Sequence, residues 1–101
     1  MLLDDEDRRA IFLSEGLGHC FVALTEGATV SYLVTDVYQP TREHGISPVD
    51  PAIGLAFPEE AGELLLSPKD TEAPTLAEAE AQGLLPQWAD ARSFYDSLKG
   101  A

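Results

Sequence analysis

Residues 18–40 read GHCFVALTEGATVSYLVTDVYQP, and the reading of this stretch decides the fold. Two β-prone runs, HCFVAL and TVSYLV, flank the turn residues TEGA, in which Gly27 has the freedom for the positive φ that a tight turn requires. The pattern predicts a β-hairpin. With its turn centred on Glu26 and Gly27, Phe21 opposes Tyr32 and His19 opposes Val34, and side chains alternate between the two faces. His19, Phe21, Ala23, Val30, Tyr32 and Val34 then share one face, and Cys20, Val22, Leu24, Ser31 and Leu33 the other. Taken singly, His19 reads as a satisfied core histidine and Tyr32 as a core tyrosine with its hydroxyl at the rim. Taken together, as diagonal neighbours, they lie within reach of one small molecule. A poised phenol donates a proton, and an imidazole hydrogen-bonds or titrates near neutrality.

Outward from the hairpin, the first two-thirds of the chain reads as β-structure and the last third as helix. Residues 10–13 (AIFL) predict a short strand ended by the loop SEGLG. Residues 38–58 carry four prolines and two glycines, which exclude a long regular element and leave at most short strand pieces near residues 43–46. ELLLSPKD predicts a brief apolar strand running into a turn. Helix begins at Thr75, where Thr75 and Glu78 spell a reciprocal capping box, and it ends near Gly83. A last helix is predicted over residues 86–98, with Trp88, Phe94, Tyr95 and Leu98 on its apolar side, docked on the sheet, and Gly100 beyond its end.

The totals bound the function. At 101 residues the chain holds one domain. A chain of this size buries only about 60 to 68% of its unfolded surface, so an uncovered apolar face asks for a partner. Eighteen acidic residues against six basic ones give a net charge of −12, a field that repels nucleic acid and anionic membrane. No apolar run approaches the ~20 residues needed to span a bilayer, and MLLDDEDRR lacks the pattern of a secretion signal. With Cys20 as the sole cysteine, expected as a small packed hydrophobe, these features fit a reducing cytoplasm. His19 and His44 share no metal-ligand spacing, and no phosphate loop, nucleophile elbow or Cys/His pair is present. No metal and no cofactor are expected.

The ordered segments SEGLGHCF, SYLVTDVYQP, REHGI, DPAIGLAFP, LLSPKD, APTLAEA and GLLP resemble the C-terminal half of the dTDP-4-dehydrorhamnose 3,5-epimerase family, especially its relatives in antibiotic deoxysugar pathways. The resemblance runs over about residues 8–86. It implies a mainly β fold, a cupin-like jelly roll present as a half or partial barrel with C-terminal α-helices. Residues 1–74 would form the barrel part, and residues 75–101 a helical segment packed on it. It further implies a homodimer and a dTDP-linked 4-keto-6-deoxysugar inside the barrel, without a cofactor.

By this resemblance Tyr32 matches the catalytic tyrosine that returns a proton to the sugar carbon, and His19 a substrate-contacting histidine. Tyr38 matches the tyrosine at the thymine end, Glu43 and Lys69 further ligand contacts, and Asp70 the carboxylate that orients the catalytic histidine base. From the residues alone, Asp70 reads as a turn residue, Lys69 as a solvated charge and Tyr38 as a side chain packed ahead of Pro40. The family's histidine base and its diphosphate-gripping residues belong to an N-terminal half that this sequence does not contain, and the scarcity of basic residues agrees. The expected function is epimerisation at C3, C5 or both, completed by a homodimer or by pairing with the missing half. The alternative is an inactive truncated module serving dimerisation or sugar-nucleotide binding.

Overall fold

The computed structural model describes residues 1–99, and Gly100, expected just past the last helix, lies outside the described residues. In chain order the chain forms a 3-10 turn at Glu59–Ala61, then α1 (Pro68–Thr71), α2 (Leu76–Ala81) and α3 (Trp88–Leu98). Among the described residues there is no β-strand. The mainly β, jelly-roll expectation is therefore overturned, together with the strands expected at residues 10–13, in the hairpin, near residues 43–46 and in ELLL.

The reason lies in what a ribbon needs. The turn itself forms, with a bend through residues 25–27 and Gly27 at φ +70°. The flanking runs do not pair, because a two-stranded ribbon is marginal until its apolar face packs on a third strand or a helix. Nothing covers that face here: Phe21, Val30, Tyr32 and Val34 are all exposed, as is Leu33. Cys20, expected to be packed, is likewise exposed.

The chain divides into two compact units, Met1–His19 with Pro86–Ala101, and Cys20–Leu85. In the first, α3 is the organising element. Its Ala91 is buried, and Gly16, at φ +84°, comes so near that a Cβ there would stand 3.3 Å from the Ala91 Cβ. One turn further along α3, the Tyr95 hydroxyl accepts the Glu15 N–H at 2.5 Å. The aromatic side of α3 thus meets the N-terminal loop where a sheet was expected, while Trp88 is largely exposed. Phe94 and Tyr95 meet edge to face at 5.8 Å.

In the second unit the helices start as the sequence dictates. Ser67 caps α1, its Oγ accepting from the Asp70 amide at 3.1 Å, with Pro68 at the first position. Thr75 and Glu78 form the capping box of α2 in both directions. Gln82 closes that helix and Gly83 follows at φ +70°. Ala79 is the buried residue of α2. Earlier in the chain, residues 47–54 fold as turns around Asp50.

Candidate functional site

A cavity of about 390 Å³ opens in the second unit, lined by Glu43, His44, Gly45, Lys69, Asp70, Ala73, Pro74 and Leu84. Two chain segments build its polar wall. Residues 43–45 arrive from the proline-rich excursion, and α1 contributes Lys69 and Asp70 from its first turn. Because the Ser67 cap holds the Asp70 amide, the backbone at Lys69 and Asp70 is pinned in register. Ala73, Pro74 and Leu84 supply a second, apolar wall.

Beside the cavity, the Lys69 ammonium stands 5.8 Å from the centroid of the Tyr38 ring, a cation–π distance. Three of the six expected site residues, Glu43, Lys69 and Asp70, therefore line one cavity, and a fourth, Tyr38, is joined to it through Lys69. The electrostatics are mixed: two carboxylates, one ammonium and the imidazole of His44 share the lining. Such a wall offers acceptors to hydroxyl or imide N–H donors through Glu43 and Asp70, and a donor to an oxygen through Lys69.

The remaining two residues stand elsewhere. Tyr32 lies in the second unit, 76% exposed and outside the cavity lining, and His19 ends the N-terminal segment of the first unit, also exposed. Their expected common face depended on a strand ladder that the described residues do not form. Among the described residues no cluster of three or more His, Cys, Asp or Glu side chains is placed to hold a metal ion. No helix of the described residues is long and apolar enough to cross a membrane.

Two contributors escaped the reading of the sequence. His44 lines the cavity next to Glu43, a role that its spacing from His19 does not signal. Asp50 accepts the Leu76 amide at 2.7 Å and the Ala52 amide at 3.0 Å. These two bonds, Leu76 first, hold its carboxyl below the ordinary value of 3.8, against the opposing effect of partial burial. The Asp-Pro step in DPAIG was the available signal, since aspartate before such a turn binds backbone N–H groups two residues on.

Comparison with known proteins gives the site its context. The family described as dTDP-4-dehydrorhamnose 3,5-epimerase matches residues 1–78. The chain is 52% identical over 99 residues to the dTDP-4-dehydrorhamnose 3,5-epimerase of Mycolicibacterium smegmatis, covering 98% of this chain and 48% of that protein. It is 49% identical over 87 residues to the dTDP-4-dehydrorhamnose 3-epimerase of Streptomyces niveus, covering 86% of this chain and 41% of the relative. With the dTDP-4-dehydro-6-deoxyglucose 3-epimerase of Streptomyces bikiniensis it shares 48% identity over 86 residues, or 85% of this chain and 43% of the relative. No solved structure matches the chain. The chain spans about half the length of the curated relatives it matches. Identity of this order, sustained across nearly the whole sequence, leads to one conclusion: this chain belongs to the dTDP-4-dehydrorhamnose 3,5-epimerase family.

Proposed function

We propose that the chain is the part of a dTDP-4-keto-6-deoxysugar epimerase that supplies the proton donor and one wall of the ligand site, in deoxysugar biosynthesis. The observation that carries this reading is the 52% identity to a dTDP-4-dehydrorhamnose 3,5-epimerase over 98% of the chain. The gathering of Glu43, Lys69 and Asp70 around one cavity, with Tyr38 against Lys69, supports it.

The chemistry divides between two faces of the sugar. A carbon beside the 4-ketone releases its proton to a base, leaving an enolate whose oxygen needs a donor, and return of a proton on the opposite face inverts the centre. In this reading the Tyr32 hydroxyl returns that proton to C3, C5 or both, and solvent then reprotonates the phenolate. Asp70 orients and charges a histidine base, which the resemblance assigns to polypeptide outside these residues. Glu43, Lys69, Tyr38 and His19 hold the nucleotide sugar.

Assembly belongs to the same reading. Exposed Phe21, Tyr32, Leu33, Val34, Val37 and Tyr38 leave an apolar surface that a partner must cover. The partner is a second copy in a homodimer or the other half of a family-length protein. A second reading is a module that binds a sugar nucleotide or assembles without turnover, and the exposure of Tyr32 outside the cavity lining favours it.

The test is solvent exchange. The chain is incubated in deuterated water with dTDP-4-keto-6-deoxyglucose, alone and with the complementary half of a relative, and deuterium is sought at C3 and C5. Label that Tyr32→Phe abolishes supports the epimerase. Absence of label in both mixtures, with the ligand still bound, selects the module without turnover.

A further inference from the structure

The cavity has two walls that approach from distant parts of the second unit, residues 43–45 and residues 73–74. Just beyond them, the chain is laced together by three bonds. The Ser47 N–H donates to the Pro74 carbonyl at 2.8 Å. Asp50 Oδ2 accepts from the Leu76 N–H at 2.7 Å, and Asp50 Oδ1 from the Ala52 N–H at 3.0 Å. One carboxylate oxygen thus holds the start of α2 while the other holds the turn that carries Asp50. Asp50 itself does not line the cavity.

We propose that Asp50 is a positioning residue of the candidate site: its carboxylate sets the spacing between the Glu43–Gly45 wall and the Ala73–Pro74 wall without touching the ligand. The argument is geometric. Ser47 follows Gly45 by a single intervening residue and Leu76 follows Pro74 by one, so a tether there transmits directly to both walls. An aspartate can serve both amides because it has two acceptor oxygens, whereas an asparagine has one, so one amide loses its partner. A bond to a charged acceptor is also stronger than a neutral one.

The pH consequence follows in sign. A carboxyl held below its ordinary 3.8 keeps the tether intact above that value and releases it as pH falls through the depressed one. Other titratable groups face this region: Glu43, His44, Lys69 and Asp70 line the cavity, and Glu78 caps α2 through Thr75.

The experiment uses the 101-residue chain and its Asp50→Asn and Asp50→Glu variants, followed by amide NMR without ligand and then with thymidine 5′-diphosphate. In the wild type, the Gly45 and Ala73 amides are expected to show an acidic titration step that coincides with that of Leu76 and Ala52. Asp50→Asn removes this step and shifts the Gly45 and Ala73 amides at pH 7. Asp50→Glu restores part of the wild-type spectrum. Thymidine 5′-diphosphate affinity falls about tenfold in Asp50→Asn, the equivalent of one charge-assisted hydrogen bond. If Leu76 and Ala52 respond while Gly45 and Ala73 stay still, Asp50 is a local cap and the proposal is overturned. The ligand measurement rests on the proposed function and the ligand-free spectra do not. Failure of the wild type to bind, with the walls still tracking Asp50, rejects that function and upholds the positioning role. The wild-type titration answers the question even if a variant does not fold.

Discussion

Lys69 and Tyr38, thirty-one positions apart in sequence, meet with the ammonium 5.8 Å from the ring centroid. The contact joins the end of the hairpin stretch to the first turn of α1, and so sets an aromatic face against a cavity-lining side chain. Replacing Tyr38 by Leu is expected to release the Lys69 side chain, while Tyr38→Phe retains it. The ring-current shift of the Lys69 methylene protons reads this directly. The interaction is worth about 0.5 to 1 kcal/mol at an exposed position, so thymidine 5′-diphosphate affinity falls only severalfold in Tyr38→Leu.

The capping box of α2 makes a local prediction. Thr75→Ala leaves the Glu78 amide without its side-chain acceptor, at a cost of about 1 kcal/mol. Hydrogen exchange across Leu76–Ala81 is expected to quicken by about fivefold, the equivalent of that energy. Unchanged exchange would show that the box contributes nothing to the helix.

In the first unit, Tyr95→Phe removes the hydroxyl that accepts the Glu15 N–H. The loss is expected to be about 0.5 to 1.5 kcal/mol. Gly16→Ala should cost more than about 1 kcal/mol, because a positive φ strains any Cβ and this one also presses on Ala91. Both are checked by the amide exchange of α3, which should loosen in each variant while α2 is unaffected.

The exposed apolar surface predicts association. The chain is expected to sediment as a dimer or larger species at micromolar concentration, and Leu33→Lys with Val34→Lys to shift it toward monomer. A stable, compact wild-type monomer would remove the assembly from the proposed function.

The elements legible in the sequence were those that close on themselves. Thr75 with Glu78 and Gly83 after α2 each bond within a few residues, so their pattern is sufficient to place them, whereas α1 and its Ser67 cap stand where a strand running into a turn was expected. The hairpin was different in kind. Its turn at Gly27 formed, yet its strands required an external surface that these residues do not provide. The common face of His19 and Tyr32 went with it. Asp50 and His44 went unassigned because what they do depends on Leu76 and on Lys69 with Asp70, more than twenty residues away.

The sequence by itself determined the family, the capped start of α2, the acidic charge and the residue types available to the candidate site, because these depend on local bonding or on composition. Tertiary structure decided that Glu43, His44, Lys69 and Asp70 share a cavity, that Asp50 laces its walls, and that the β-prone runs stay unpaired. Bringing distant segments together costs chain entropy that only specific long-range contacts offset. Those contacts exist around Asp50 and are missing along the hairpin's apolar face.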